Sequence, residues 1–437
     1  MPKLNQSEFT MLRRWIGLPA LVLFFLPGAA DTRAVDWPQW RGPNRDGSWN
    51  ETGIMESFPA GGLNVSWRKP VGRGWSSPVV AQGRVFVTDV EIAERKAIER
   101  VLCFDEASGT LLWKHEYPVG YPDWAFDPNA GGPRATPIVR DGRLFTLGAL
   151  GHLVCLDAAK GGVVWSKNLA AEYGVKEFTG ITASPLIDDG LLILYICGKP
   201  AACVVAFDKD SGKETWRALD DSFTYSSPTI LTAGGKKQLI VWTQDAVTSL
   251  EPATGKIWWR ELLHTPGDQA VSTPVFSGQR LLVGGLMFQL DAVKPAASVL
   301  WPEGGAVSKR ILSNTSTALL QGDYVFSAKT SGELVCLEAA TGRLVWQTNN
   351  VTELQNGSSI HLTPCGDGVF LFTDRGDLIR AKLTPRSYTE ISRFHLLEPT
   401  SPFGARKCAW VPPAYANGRV YVRNDAELVC ASLATER

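Results

Sequence analysis

Apolar side chains in this chain fall in short alternating runs bounded by glycine turns, a spacing that predicts strands and not helices. Val85-Phe86-Val87 and Leu153-Val154-Cys155-Leu156-Asp157 are representative. The runs also recur as a unit. Ser/Thr-Pro and an apolar pair open it, followed by a Gly turn, an alternating strand and a second strand ending in Asp or Glu. A further Gly turn and a Trp close it.

The clearest copies close with Asp105, Gly109 and Trp113; Asp157, Gly161 and Trp165; Asp208, Gly212 and Trp216; and Glu251, Gly255 and Trp259. A fifth unit leads through Asp291 to Trp301 but has Lys294-Pro295 where the turn Gly is expected, and a sixth closes with Glu338, Gly342 and Trp346. The seventh lacks the later Gly and Trp, and the eighth stops after Leu428-Val429-Cys430 without a closing strand. Opening positions are Pro78, Pro137, Pro185, Pro228, Pro274, Thr317, Pro364 and Pro413, at intervals of 43–49 residues with one step of 59. That is the length of a four-stranded propeller blade.

The expected fold is therefore all-β: an eight-bladed β-propeller of four-stranded antiparallel blades. Asn64-Val65-Ser66-Trp67 reads as a closing strand without a blade, so the N-terminal strand is expected to complete the last blade and close the ring, which removes exposed sheet edges. Each repeated residue has a physical reason. The Asp carboxylate can accept from turn amides, Gly takes a positive φ, and Trp on the outer strand fills the gap between wedge-shaped blades. Such a use of one Trp per unit accounts for much of the total of 16 Trp.

The Asp-x-x-x-Gly-x-x-x-Trp signature resembles the PQQ (pyrroloquinoline quinone) repeat. That family includes quinoprotein dehydrogenases and non-catalytic propellers such as the outer-membrane-protein assembly scaffold of Gram-negative bacteria. The resemblance spans residues 63–433, and the residues that carry it are scaffold residues that bind no cofactor by themselves. Asp36-Trp37-Pro38-Gln39-Trp40-Arg41-Gly42-Pro43 resembles the leader of many bacterial propellers of this type. It is expected to be an arm, residues 31–62, packed across one face as a cap. Residues 434–437 form a tail.

Residues 1–30 read as an export signal. Arg13 and Arg14 flank an apolar run from Trp15 to Leu26, too short to span a bilayer, and Gly28-Ala29-Ala30 offers a cleavage site. The mature chain is expected to be periplasmic or secreted, without an integral membrane segment. Its 41 basic and 43 acidic side chains give no field for nucleic acid or anionic membrane.

Catalytic signatures are sparse. The dehydrogenases of the resembled family hold PQQ over the propeller axis with a Ca²⁺ site and an Asp base, many with a disulfide between adjacent cysteines. The eight cysteines here include no adjacent pair and no Cys-x-x-Cys-His motif. Asp221, Asp268, Asn314 and Asn356 show no metal-loop spacing, and the histidines are scattered. Cys103, Cys155, Cys336 and Cys430 share one repeat position and read as small buried apolar residues. Cys197 and Cys203 flank a turn, and strand pairing decides whether they can join. The charged stretch Glu91–Arg100 reads as a solvated hairpin extension.

Residues preceding the inner strands, Trp75, Arg134, Tyr225, His361 and Trp410, are expected to gather around one channel mouth, with Tyr121, Trp124 and Phe126 overhanging it. The favoured reading is a non-catalytic scaffold without cofactor that presents this mouth to a protein or glycan. The alternative is a PQQ- and Ca-dependent dehydrogenase of alcohols or sugars.

Overall fold

Each repeat unit folds into its own antiparallel sheet, because alternation gives every strand two apolar faces and each face needs a neighbouring sheet to bury it. The computed structural model describes residues 35–127, 132–175, 180–263, 265, 270–302, 312–313 and 315–435. Among them, seven blades are consecutive four-stranded meanders: 79–119, 138–168, 186–218, 229–262, 275–301, 319–348 and 360–395. The eighth joins Ala414–Ala416, Arg419–Arg423 and Glu427–Ser432 to the N-terminal strand Val65–Pro70. Trp67 pairs with Cys430 and Lys69 with Leu428, so the ring is closed by hydrogen bonds between distant parts of the chain. A small hairpin, Ser401–Phe403 with Arg406–Cys408, lies between blades 7 and 8.

The core runs as a series of seams between blades. One apolar cluster joins blades 1 and 2, another blades 2 and 3, and so on round the ring; the largest joins blades 7, 8 and 1 with the N-terminal arm. The Trp and Gly of the repeat meet at these seams. Trp113 of blade 1 donates from its indole nitrogen to the Ala158 carbonyl of blade 2 at 3.3 Å, and its ring lies over Gly161, where a Cβ would come within 2.6 Å. Trp165, Trp216 and Trp301 repeat this arrangement on the Lys209, Pro252 and Ala339 carbonyls, and Trp67 repeats it across the closure on Glu106. Gly161 is required twice over, since its φ of +73° also belongs to the left-handed region. The turn carboxylates act locally: Asp157 accepts from the Ala159 and Lys160 amides, and the hydrogen bonds to Asp105 and Asp208 lower their pKa.

The seam between blades 4 and 5 departs from this pattern because Lys294-Pro295 replaces the glycine. Trp259 turns to Gln238 of its own blade at 2.7 Å.

The hydroxyls of the opening Ser/Thr form a belt around the channel, a role the sequence reading did not assign. The Ser77 amide donates to Thr136 Oγ1, the Thr136 amide to Ser184 Oγ and the Ser184 amide to Ser227 Oγ, at 2.9–3.0 Å. The Thr273 amide donates to Thr317 Oγ1, and the Ile360 amide to Ser316 Oγ. Beside the axial edge of an innermost strand, a side-chain oxygen from a neighbouring blade satisfies such an amide.

Candidate functional site: an aromatic cup closed by the N-terminal arm

The arm enters the channel where the inner strands finish. Trp37 exchanges both backbone hydrogen bonds with Val80 of blade 1, and the Val139 amide of blade 2 donates to the Pro38 carbonyl. The chain then makes a tight loop: the Gly47 amide donates to the Arg41 carbonyl and the Arg41 guanidinium to the Asp46 carbonyl. At its apex, buried Arg45 donates to the carbonyls of Ser184, Pro185 and Pro228 at 2.9–3.0 Å. Trp40 donates to Thr273 Oγ1 of blade 5, and the Trp49 amide to the Pro364 carbonyl of blade 7. Trp49 is fully buried against Phe370 and Tyr415. Burial, and then the nearby Arg41 charge, lower the Arg45 pKa to about 9. The three carbonyls supply the acceptors that a buried guanidinium needs. The arm is held there by the free axial edges of the innermost strands.

Above the arm lies a cavity of about 660 Å³. Trp40 lines it from the arm side. Trp75, Arg134, Tyr225, His361 and Trp410 line it from loops before, or from the start of, the inner strands, and Pro402-Phe403-Gly404 contributes from the extra hairpin. Five of the eight residues proposed from sequence are thus brought together. Arg134 lies over the Trp75 ring at 4.5 Å and within 5.9 Å of Tyr225. Burial lowers its pKa, and a hydrogen bond to the Tyr225 side chain opposes that shift. Trp75 donates to Ser401 Oγ at 3.2 Å, which ties the cup wall to the hairpin. Phe403 meets Trp410 edge-on at 5.1 Å. His361 Nε2 is 3.1 Å from the Trp410 carbonyl oxygen, and burial lowers its pKa to about 4.

Two of the proposed residues are elsewhere. Tyr121 is buried, donating its hydroxyl to Glu99 at 2.7 Å, and Phe126 packs against the Tyr121 ring beneath the long hairpin of blade 1. The Trp124 side chain is outside the described residues. The reason is Glu99, which the sequence reading placed in a solvated extension. It is buried, accepting from Tyr117, Tyr121 and the Ala149 amide, so the stretch Glu91–Arg100 is a partly buried hairpin that draws the aromatic loop down onto itself. Burial and the Glu99 charge raise the pKa of both tyrosines.

Of the other candidates, Asp221 is buried in an ion pair with Arg260 at 2.8 Å and accepts from Thr243. Asp268 and Asn314 fall outside the described residues. Cys103, Cys155, Cys336 and Cys430 are each fully buried, and desolvation raises their thiol pKa to about 11 or 12. Sequence reasoning missed Trp40 and Phe403. The turn signal Ser401-Pro402-Phe403-Gly404 could have exposed the second; nothing local marks the first as a channel residue.

The lining contains aromatic rings, hydroxyls, one guanidinium and one imidazole, and among its described residues no carboxylate or side-chain amide. Such a set can stack on planar or apolar groups and hold them against a positive charge. Among the described residues it offers hydroxyl oxygens but none of the carboxylate or side-chain amide oxygens that commonly ligate Ca²⁺.

A family model described as outer membrane protein assembly factor BamB matches residues 97–348 and 292–437. The BamB protein of Shewanella oneidensis is 23% identical over 322 residues, covering 71% of this chain and 66% of that protein. The chain spans less than two thirds of the length of the curated relatives it matches; for those of Moranella endobia and Burkholderia pseudomallei the share is 58%. Among solved structures, BamB from Moraxella catarrhalis superposes with a TM-score of 0.57 at 14% identity, over 85% of this chain and 99% of that one. Quinohemoprotein alcohol dehydrogenase from Comamonas testosteroni superposes with a TM-score of 0.62 at 14% identity, over 92% and 81%. At that identity, both structural likenesses speak to the fold alone.

Proposed function

The chain belongs to the PQQ-repeat β-propeller family matched by the BamB model, and from that membership we propose that it is an exported, non-catalytic scaffold holding a protein partner at the aromatic cup. Its relatives are named as outer membrane protein assembly factors, so the partner class proposed is a component or client of such an assembly. Among the described residues, no helix is long and apolar enough to cross a membrane.

The observation that carries this reading is the cup itself. It is aromatic and blind, with Trp40 lining it from the arm side, and no pair of its described side chains is placed as acid and base. Surfaces that anchor protein partners are enriched in Trp, Tyr and Arg, the residue types gathered here. A dehydrogenase reading needs Ca²⁺ ligands near the axis. Among the described residues no cluster of three or more His, Cys, Asp or Glu could hold a metal, and the channel below the cup is occupied by the arm.

The test places a photo-crosslinking residue at Phe403 in the producing cells. A discrete protein adduct, lost when Trp75→Ala and Trp410→Ala are combined, is expected. Dye reduction by purified protein that requires added PQQ, Ca²⁺ and an alcohol or sugar would overturn the proposal.

A further inference from the structure

In blade 3, the hairpin between the second and third strands carries a cysteine at each shoulder. Leu191–Gly198 and Ala202–Asp208 pair antiparallel with Gly198 opposite Ala202, so Cys197 and Cys203 follow next on the two strands. The ladder is irregular between Tyr195 and Gly198, and Cys197 takes a φ of +48°. That local turn brings the thiols face to face, with the sulfurs 2.7 Å apart, inside the ordinary contact of two unbonded thiols. Both residues are buried, at 6% and 0% exposure. The repeat-position cysteines differ: each sits in the third strand of a different sheet.

We propose that Cys197 and Cys203 form an internal disulfide, made while the chain folds and sealed by burial afterwards. The oxidant is a disulfide of the glutathione class. Two S–H bonds break and one S–S bond forms in the protein, while the two protons and two electrons reduce the oxidant to two thiols. Exchange needs a thiolate with access to its partner. In the folded blade burial closes that access, and desolvation, then the Cys197 thiol, push the Cys203 pKa upward. The pair also backs the cup. Tyr195 stacks on Phe223 at 5.8 Å, and Phe223 meets Tyr225 edge-on at 5.5 Å in the cup wall.

The oxidising setting rests on the exported reading above; the geometry does not. The experiment therefore has two arms. Protein is folded from denaturant in a buffer of oxidised and reduced glutathione, and separately recovered from the producing cells with thiols blocked at lysis. Both are denatured, alkylated and weighed. Six alkylated cysteines of the eight are expected. Tryptic segment 177–209, in which Pro200 protects Lys199 from cleavage, should carry both cysteines unalkylated and be lighter by two hydrogens.

Eight alkylated cysteines after folding in the redox buffer would overturn the disulfide. The disulfide in the buffer-folded protein, with eight free thiols in the cell-derived protein, would support the site and overturn the exported reading instead. Dithiothreitol should reduce the native protein at least ~100-fold more slowly than the unfolded chain. Equal rates would overturn the sealing.

Discussion

At one end of the central channel the axial edges of the innermost strands are taken by residues 36–49, which bring a buried arginine, held by the Ser184, Pro185 and Pro228 carbonyls of the blades, and a fully buried tryptophan. At the other end the same repeat positions surround about 660 Å³ of open space. The blades are alike at both ends, so the difference comes from what is added. Backbone edges are satisfied by a segment of the chain below, and side chains from separate loops leave aromatic faces unfilled above. A repeat scaffold provides the positions, and its non-repeating insertions decide which end is sealed and which is left open.

Breaking the sealed end should cost most. Arg45→Met removes a buried charge and strands three carbonyl oxygens, and a loss of about 3–5 kcal/mol is expected, read from the denaturation midpoint. A loss below about 1 kcal/mol would mean that the arm is only loosely held.

The belt of hydroxyls between the two ends comes next. Thr136→Val leaves the buried Ser77 amide without its acceptor, for an expected loss of about 1–3 kcal/mol by the same measurement.

His361, in the cup wall, should make the open end sensitive to acid. Its native pKa of about 4 lies below the ordinary 6.5, so between those values the unfolded chain binds a proton that the native state refuses. Stability is then full above pH 6.5 and falls as pH drops toward 4, by roughly 1–2 kcal/mol given that the residue is only half-buried. His361→Asn should flatten that slope in a pH series of thermal midpoints.

The smallest effect on stability is expected at Phe403, which is 39% exposed. Phe403→Ser should stay within about 0.5 kcal/mol of the parent yet weaken partner capture at the cup, measured with the crosslinking residue moved to Pro402. A stability loss as large as that of Arg45→Met would erase the distinction between the two ends.

Much of the ring was legible because its signals are local and repeated. Asp157, Gly161 and Trp165 stand within nine residues, and their turn geometry is decided within that span. Trp67 was readable as a closing strand because its blade was missing. The candidate site was legible only where it inherits the repeat: Trp75, Arg134, Tyr225, His361 and Trp410 precede or begin inner strands, and a closed ring brings those positions together. Where one buried group overrode the pattern, the reading failed. Glu99 in a run of charges looked solvated, but three donors hold it in the core and take Tyr121 with it. Trp40 and Arg45 were opaque for another reason: their partners lie on blades 3, 4 and 5, and no local pattern records a contact over such separations.

The threaded arm sets an order of events during synthesis. Trp49 packs on Tyr415, a residue made 366 positions later. At about 5–20 residues per second, some 20–70 s pass between the two. Through that interval the ring is incomplete and Trp37 and Trp49 lack the Tyr415 wall of blade 8, so an adhesive segment must be kept from competing contacts until the ring exists to receive it.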